Sequence, residues 1–327
     1  MPMAFPSKLP VLDSVKEVVT NSRQVKFHSH QLSPAVSRWG HLLETFSAWQ
    51  HPCHFFDGTA ETVRWIFVLD VLNHCFWPDE GNPVWTVSFQ GRGWSGYWGL
   101  AAALKRAVER DYPLTDPGYL ATMPSADLRE IFAGNGEIPM LGERLANLHE
   151  AGQVLQERLN GDIVHLVEQA CGSAVQLVLR VVAAFRSFRD EACYHGKPVT
   201  FWKRAQIFAA DLFHAFSGKD WGAFEDIHQL TAFADYKLPQ VLRHLGIIAY
   251  APDLERRIDR RELLPPGSEE EVEIRAATIH AVEGLCQVFR QSRVHTTAMA
   301  VDQWLWRLGQ MEVFRTKPYH LCRTIFY

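Results

Sequence analysis

The chain has 327 residues, 47% of them hydrophobic and 21% charged, and a formal net charge of -4. That is the composition of a folded globular protein, and its acidic balance argues against a general nucleic-acid binder, which gathers Lys and Arg against phosphates. No apolar run approaches the ~20 residues that cross a bilayer, and Met1-Pro2-Met3-Ala4-Phe5-Pro6 lacks the basic start and apolar core of a secretory leader, so a reduced cytoplasm is the expected compartment. The six cysteines (Cys53, Cys75, Cys171, Cys193, Cys286 and Cys322) stand singly, and His28-Ser29-His30 is the one close histidine pair with alternate spacing. Neither pattern has the ligand spacing of a zinc or iron–sulfur site, so no metal and no other cofactor is expected.

In chain order, Val11 to Asn21 has the apolar spacing of a short amphipathic helix. Pro34 to Trp49 predicts a second, with Val36, Trp39, Leu42, Leu43 and Phe46 at helical intervals. Thr59 to Phe76 predicts a helix buried on most sides, because Val63, Ile66, Phe67, Leu69, Leu72 and Phe76 cover much of its circumference. Pro83 to Trp98 then breaks the period. Val84, Thr86 and Ser88 alternate with Trp85, Val87 and Phe89, and Gln90-Gly91-Arg92-Gly93 supplies a turn, which together spell a β-hairpin. Helical spacing resumes over Tyr97 to Arg110, Leu141 to Leu159 and Ser173 to Ala184. His195-Gly196-Lys197-Pro198 reads as a turn before a short strand, Val199 to Phe201, and Trp202 to Phe216 as helix. Leu238 to Leu245 is a helix closed by Gly246. Pro265-Pro266-Gly267-Ser268 punctuates the chain before a helix whose Glu269, Glu270 and Glu271 suit the positive end of its dipole. A last helix covers Thr296 to Leu308. The expected fold is mainly α, one helical domain over residues 1–327 with a small β-hairpin.

Two places set an acid among large apolar residues. One is Leu230-Thr231-Ala232-Phe233-Ala234-Asp235-Tyr236-Lys237-Leu238-Pro239-Gln240-Val241-Leu242, which has the apolar content of a core helix. The other is Val301-Asp302-Gln303-Trp304-Leu305-Trp306. A carboxylate in such surroundings is costly unless it is paired or used. Two separated segments that each deliver one acid are what a buried site requires.

The stretch Phe233-Ala234-Asp235-Tyr236-Lys237-Leu238-Pro239-Gln240-Val241-Leu242 resembles the FADYR-(I/V/L)-PQ signature of the queuosine salvage proteins, the queuosine 5′-phosphate N-glycosylases/hydrolases. Other blocks agree in the same order: Trp65-Ile66-Phe67-Val68 with Leu72-Asn73 and Phe76-Trp77; Ser95-Gly96-Tyr97-Trp98; Ser187-Phe188-Arg189-Asp190; Phe201-Trp202-Lys203-Arg204-Ala205-Gln206-Ile207; Glu271-Val272-Glu273-Ile274-Arg275; Asp302 with Leu305-Trp306; and the terminal Arg323 and Tyr327. The resemblance runs from about Trp65 onward and is weak over the first sixty residues. Lys237 departs from it where arginine is usual, and Arg307 follows Trp306 where an acid is expected. It implies a helical fold similar to that of DNA glycosylases, and hydrolysis of the N-glycosidic bond of queuosine 5′-monophosphate with release of queuine for salvage into tRNA modification.

That reaction sets three demands. Breaking the bond leaves an oxocarbenium-like sugar, which a carboxylate stabilises, captures, or attacks through a water; Asp235 is the catalytic candidate. A 7-deazapurine has no N7 lone pair to protonate, so hydrogen bonds must act on its other edges. Asp302 can accept from the N–H donors of the deazaguanine face or from the amine of the side chain, with Trp306, Phe233 and Tyr236 stacking on the ring and His51 or His54 bonding to the base. The 5′-phosphate needs cations: Lys203-Arg204 near a helix start, and Lys237 beside the acid. For each of these residues the competing reading is structural: an acid in a core network, a tryptophan in a helix core, a basic pair on a solvated face. Two other functions stand beside this one. A queuine carrier without catalysis would need the aromatic pocket but not Asp235. A nucleic-acid base glycosylase would need a basic face, which the net charge disfavours. The expected partner is thus a small molecule, with no direct nucleic acid and no membrane.

Overall fold

The computed structural model of the chain describes residues 5–43 and 49–327. Fourteen α-helices and four two-stranded sheets make up the described residues, so the fold is mainly α as expected. None of these helices is long and apolar enough to cross a membrane.

Several elements begin and end where local chemistry dictates. The helix Val11–Asn21 has the predicted bounds. Ser268 caps the long helix Glu269–Gln291 by accepting from the Glu271 amide, with three acids in the first turn. Gly246, at φ +70, follows the helix Lys237–His244 and turns the chain back, the Ile247 amide donating to Leu242 O at 2.9 Å. The hairpin pairs Thr86–Phe89 with Arg92–Ser95. Its turn is only Gln90-Gly91, both at positive φ, as a two-residue turn matched to strand twist requires; Arg92 and Gly93 belong to the second strand.

Other expectations are corrected. The turn at 195 is a second hairpin, Glu191–Tyr194 with Lys197–Thr200, joined by His195-Gly196. Pro198 hides that strand in the sequence, since proline is tolerated only where no ladder N–H is needed. The second helix is Leu32–Trp39 followed by a 3-10 turn, Gly40–Leu42. Residues 44–48, including Phe46, lie outside the described residues. The helix expected over 59–76 stops at Leu72. The helices Pro117–Thr122, Ser125–Ile131, Val164–Gln169 and Pro252–Asp259 span six to eight residues, too short for a periodicity window to register. The pairs Val25–Phe27 with Ile248–Tyr250, and Leu263–Leu264 with Leu321–Cys322, join segments remote in sequence and leave no local signal.

Two helices organise the core. Ala60–Leu72 is buried on every side past its first turn except at Arg64, and packs against Leu141–Arg158 and Lys203–Ala215. Glu269–Gln291 packs against Val11–Asn21, Leu32–Trp39 and Ala298–Leu308. Backbones touch at Gly152, where a Cβ would lie 2.2 Å from the Ala121 amide nitrogen of the Pro117–Thr122 helix. Gly152→Ala is therefore expected to force these helices apart, costing about 1–3 kcal/mol, read as a lowered urea midpoint at unchanged slope.

Charges inside the core finish the scaffold. The last carbonyls of Ala60–Leu72 have no partner within their own helix. Two buried guanidiniums supply them: Arg144 donates to Leu72 O, His74 O and Cys75 O, and Arg204 to Asp70 O, Val71 O and Ser187 O. Arg275 grips Asp190 with two bonds, at 2.8 and 2.5 Å, and donates to Ala234 O at 3.1 Å, tying the long helix to the loop before Lys203 and to the segment carrying Asp235.

Candidate active site

A cavity of about 550 Å³ opens where several segments meet. The helix Lys203–Ala215 presents Lys203, Ile207, Asp211 and His214, spaced four, four and three residues apart and hence on one face. The helix Ala298–Leu308 presents Asp302, Gln303 and Trp306. Tyr97 and Trp98 come from the start of Gly96–Val108, with Trp49 and His54 from the loop before Ala60. A further segment carries Phe233, Asp235, Tyr236, Lys237 and Leu238.

The last segment is not the core helix that its apolar content predicts. Residues 230–235 have no regular secondary structure, and helix begins only at Lys237. A buried segment outside helix and sheet needs other partners for its amides. Side chains provide them: Gln206 Oε1 accepts from the Thr231 amide at 2.8 Å, and Asp302 Oδ2 from the Phe233 amide at 2.7 Å. At its end Asp235 Oδ1 accepts from the Lys237 and Leu238 amides at 2.7 and 3.0 Å. The carboxylate is thereby fixed at the positive end of a helix and inside the cavity wall.

Asp302 differs in its surroundings. It is 6% exposed, and burial, then the charge of Asp235, push its carboxyl up to about 8, against the pull of the Phe233 amide and Lys203. Lys203 is equally buried; burial holds its ammonium below the usual range while Asp235, Asp70 and Asp302 pull the other way, and it forms no ion pair among the described residues. Lys237 stands at the cavity with its Nζ 4.9 Å from the Tyr319 ring centre, lowered by burial and raised by Asp235. Arg315 also lines this end, and neither cation has an ion-pair partner among the described residues.

His54 is wall rather than reader. Its Nδ1 lies 2.8 Å from Trp49 O and its Nε2 2.8 Å from the Tyr97 hydroxyl. A carbonyl only accepts, so Nδ1 carries the proton and Nε2 accepts from Tyr97. Burial pushes the ring down to about 4, which keeps it neutral, and it stacks on Trp49 at 3.8 Å. Both nitrogens are occupied, so no bond remains for a base.

Of the residues singled out in the sequence, the structure brings Phe233, Asp235, Tyr236, Lys237, Asp302, Trp306, His54 and Lys203 to one cavity. Two stand outside it. Arg204 is 1% exposed and its donors are taken by backbone carbonyls, so the pair Lys203-Arg204 does not form a phosphate grip. His51 stacks on Trp98 at 3.6 Å without lining the cavity. Arg307 does line it. Asp211, Trp98, Tyr319 and Arg315 escaped the sequence reading. Only Asp211 left a signal there: an acid in the apolar run Ala209-Ala210-Asp211-Leu212-Phe213, the same pattern that marked Asp302. Among the described residues, no group of three or more His, Cys, Asp or Glu is placed to hold a metal.

Aromatic walls, buried acids and a cationic rim define a pocket for a flat base rich in N–H donors with an anionic tail. The chain belongs to the queuosine salvage protein family, whose model matches residues 53–327. It is 47% identical over 326 residues to a queuosine 5′-phosphate N-glycosylase/hydrolase of Sphaerobacter thermophilus, covering 99% of this chain and 100% of that one. Proteins of the same name match from Dictyostelium discoideum, at 39% over 269 residues (82% and 79% of the two chains), and from Mus musculus, at 33% over 328 (97% and 96%).

Proposed function

We propose that this protein hydrolyses the N-glycosidic bond of queuosine 5′-monophosphate, releasing queuine, with Asp235 acting at the sugar and Asp302 at the base. The observation that carries the reading is the pairing of the two acids in one cavity. Asp235 is pinned by two amides at a helix N-terminus, Asp302 is sealed among aromatic rings, and relatives that match almost the whole chain carry that activity in their names.

As the bond to N9 lengthens, positive charge grows on the anomeric carbon. A carboxylate whose position is fixed beforehand stabilises that charge without reorganising. Whether it then captures the sugar or turns a water onto it, the same oxygen faces the same carbon. On the base, Asp302 accepts from the N–H donors of the deazaguanine edge, while Trp98, Trp306 and Phe233 hold the ring flat. Lys203, close to both acids, offsets their mutual repulsion.

The phosphate falls to Lys237 and Arg315, two cations of the cavity lining without an ion-pair partner among the described residues, in place of Lys203-Arg204. Lys237→Gln is expected to raise KM for the 5′-monophosphate by about tenfold, the scale of one charge-assisted contact, while altering turnover of the unphosphorylated nucleoside little. Steady-state kinetics on the two substrates checks it. An equal loss on both would place the phosphate elsewhere.

The substrate is a free nucleotide, with no direct nucleic acid. The activity itself is tested by incubating the purified protein with queuosine 5′-monophosphate and with guanosine monophosphate, and weighing the released base. Queuine from the first and no guanine from the second is the expected result. Binding of queuine without release from any nucleotide would make the protein a carrier.

A further inference from the structure

Two carboxyls, one lining the cavity and one buried beside it, take no part in the chemistry above. Asp70, in the last turn of Ala60–Leu72, is fully buried; its Oδ1 lies 3.5 Å from Asn73 Nδ2, and its Oδ2 has no hydrogen-bond partner among the described residues. Asp211 faces the cavity from Lys203–Ala215, and its Oδ2 is likewise sealed and without a partner. Each helix packs directly on the other. Burial and the neighbouring Asp211 push Asp70 well above the carboxylate range, and burial pushes Asp211 up to about 7 against the pull of Lys203. Both carboxyls are thus held above their ordinary range, and Asp211 is the one that lines the cavity. The Tyr97 hydroxyl, raised by burial and then by Asp211 and Asp70, donates to His54 and leaves Asp211 without that donor. A carboxyl at a cavity wall, with no ion pair and an unpartnered oxygen among the described residues, is a group waiting for a ligand's cation.

We propose that Asp211 is the receptor for the cationic arm of the base, the secondary ammonium that queuine carries on its C7 methylene. This rests on the reading of the substrate given above and assigns a second acid to it. The ligand has two separate sets of donors, the N–H groups of the guanine-like edge and the ammonium, and the cavity has two acids beyond the one at the sugar. Asp302 neighbours Asp235 and Lys203, where the ring must lie. Asp211 stands eight residues beyond Lys203 on the same helix face, about 12 Å along its axis, and neighbours Asp70 instead of Asp235. With Asp235 at the sugar and Asp302 at the guanine-like edge, Asp211 is the acid of the cavity lining left for the arm.

The test compares two nucleotides that differ only in charge at C7: 7-aminomethyl-7-deazaguanosine 5′-monophosphate, a cation there, and its neutral 7-cyano counterpart. The wild type is expected to favour the aminomethyl nucleotide by about 10- to 100-fold in kcat/KM, the scale of a buried bond between two charged groups. Asp211→Asn is expected to bring that ratio within about threefold of one. The same ratio is read in binding of the free bases, 7-aminomethyl-7-deazaguanine against 7-deazaguanine, by quenching of tryptophan fluorescence. If no nucleotide releases its base, the proposed activity fails, yet the two base affinities still decide the role of Asp211. Removing a buried carboxylate without a partner leaves stability level or raised, so the variant is expected to melt no lower than the wild type. A ratio unchanged by Asp211→Asn, or both ligands weakened alike with a lowered melting temperature, overturns the assignment. Should the variant not fold, equal affinities of the wild type for the charged and neutral bases overturn it as well.

Discussion

Asp235→Asn is expected to stop release of queuine from queuosine 5′-monophosphate while leaving queuine binding close to that of the wild type. A group whose interaction grows with charge on the anomeric carbon acts in the transition state and little in the ground state, so its loss lowers kcat and spares affinity. Removal of one preorganised electrostatic group costs about 10²-fold or more. The substitution is a clean probe because of how the carboxylate is held. Asp235 Oδ1 accepts from the Lys237 and Leu238 amides, and the amide oxygen of asparagine accepts from both as well. The start of Lys237–His244 is preserved and only the charge is lost. Single-turnover release of base, followed by mass, reads the chemical step, and fluorescence titration with queuine reads binding. Losses of a few-fold in both, together with a melting temperature several degrees lower, would mean that Asp235 is a helix cap and that the sugar is served by another group.

The segment around Asp235 also shows what the sequence could and could not convey. Its apolar residues announced burial correctly and helix wrongly. Leu230, Phe233 and Ala234 are buried in a segment without regular structure, which is bearable only because Gln206, Asp302 and Arg275 reach in from other elements to meet its backbone. Those partners lie 25 to 69 residues away, and no local pattern encodes them. The acids were legible for the opposite reason. Placing Asp302 among Val301, Trp304 and Leu305 is expensive wherever the chain goes, so the residue stands out before any fold is known. Asp211 could have been found by the same rule.

Arg204 marks the limit of that rule. A basic pair at a helix start looks the same in sequence whether its donors meet phosphate or carbonyl groups. The answer depends on Ala60–Leu72 ending against it, with carbonyls that need donors. The cations proposed to take the phosphate instead, Lys237 and Arg315, are 78 residues apart in the chain and meet only at the rim of the folded cavity.

Asp302 is expected to make queuine binding stronger as pH rises toward 8, with the stability of the unliganded protein moving the other way. To accept from the N–H donors of the base the carboxyl must be ionised, yet in the empty cavity burial and the charge of Asp235 hold it up at about 8. Below that value binding must expel a proton, so affinity falls by up to about tenfold per pH unit. For folding the sign reverses. An acid whose pKa is higher in the folded than in the unfolded chain contributes stability that is complete below the unfolded value and lost as pH rises through the folded one. Asp302 thus withdraws stability between about pH 4 and pH 8, and Asp211, held at about 7, does the same over a narrower range. Asp302→Asn should flatten both trends in part. Its amide oxygen can still accept from Phe233, so the wall stands, but its NH₂ group then meets the donors of the base. Affinity for queuine at pH 8 should drop by about 10- to 100-fold, discrimination against other purines should relax, and the melting temperature at pH 8 should hold or rise. Isothermal titration in buffers of different ionisation enthalpy measures the proton released on binding. Release by the wild type at pH 7 and a reduced release by Asp302→Asn is the expected pair of results; identical proton release by both proteins would show that Asp302 does not face the base.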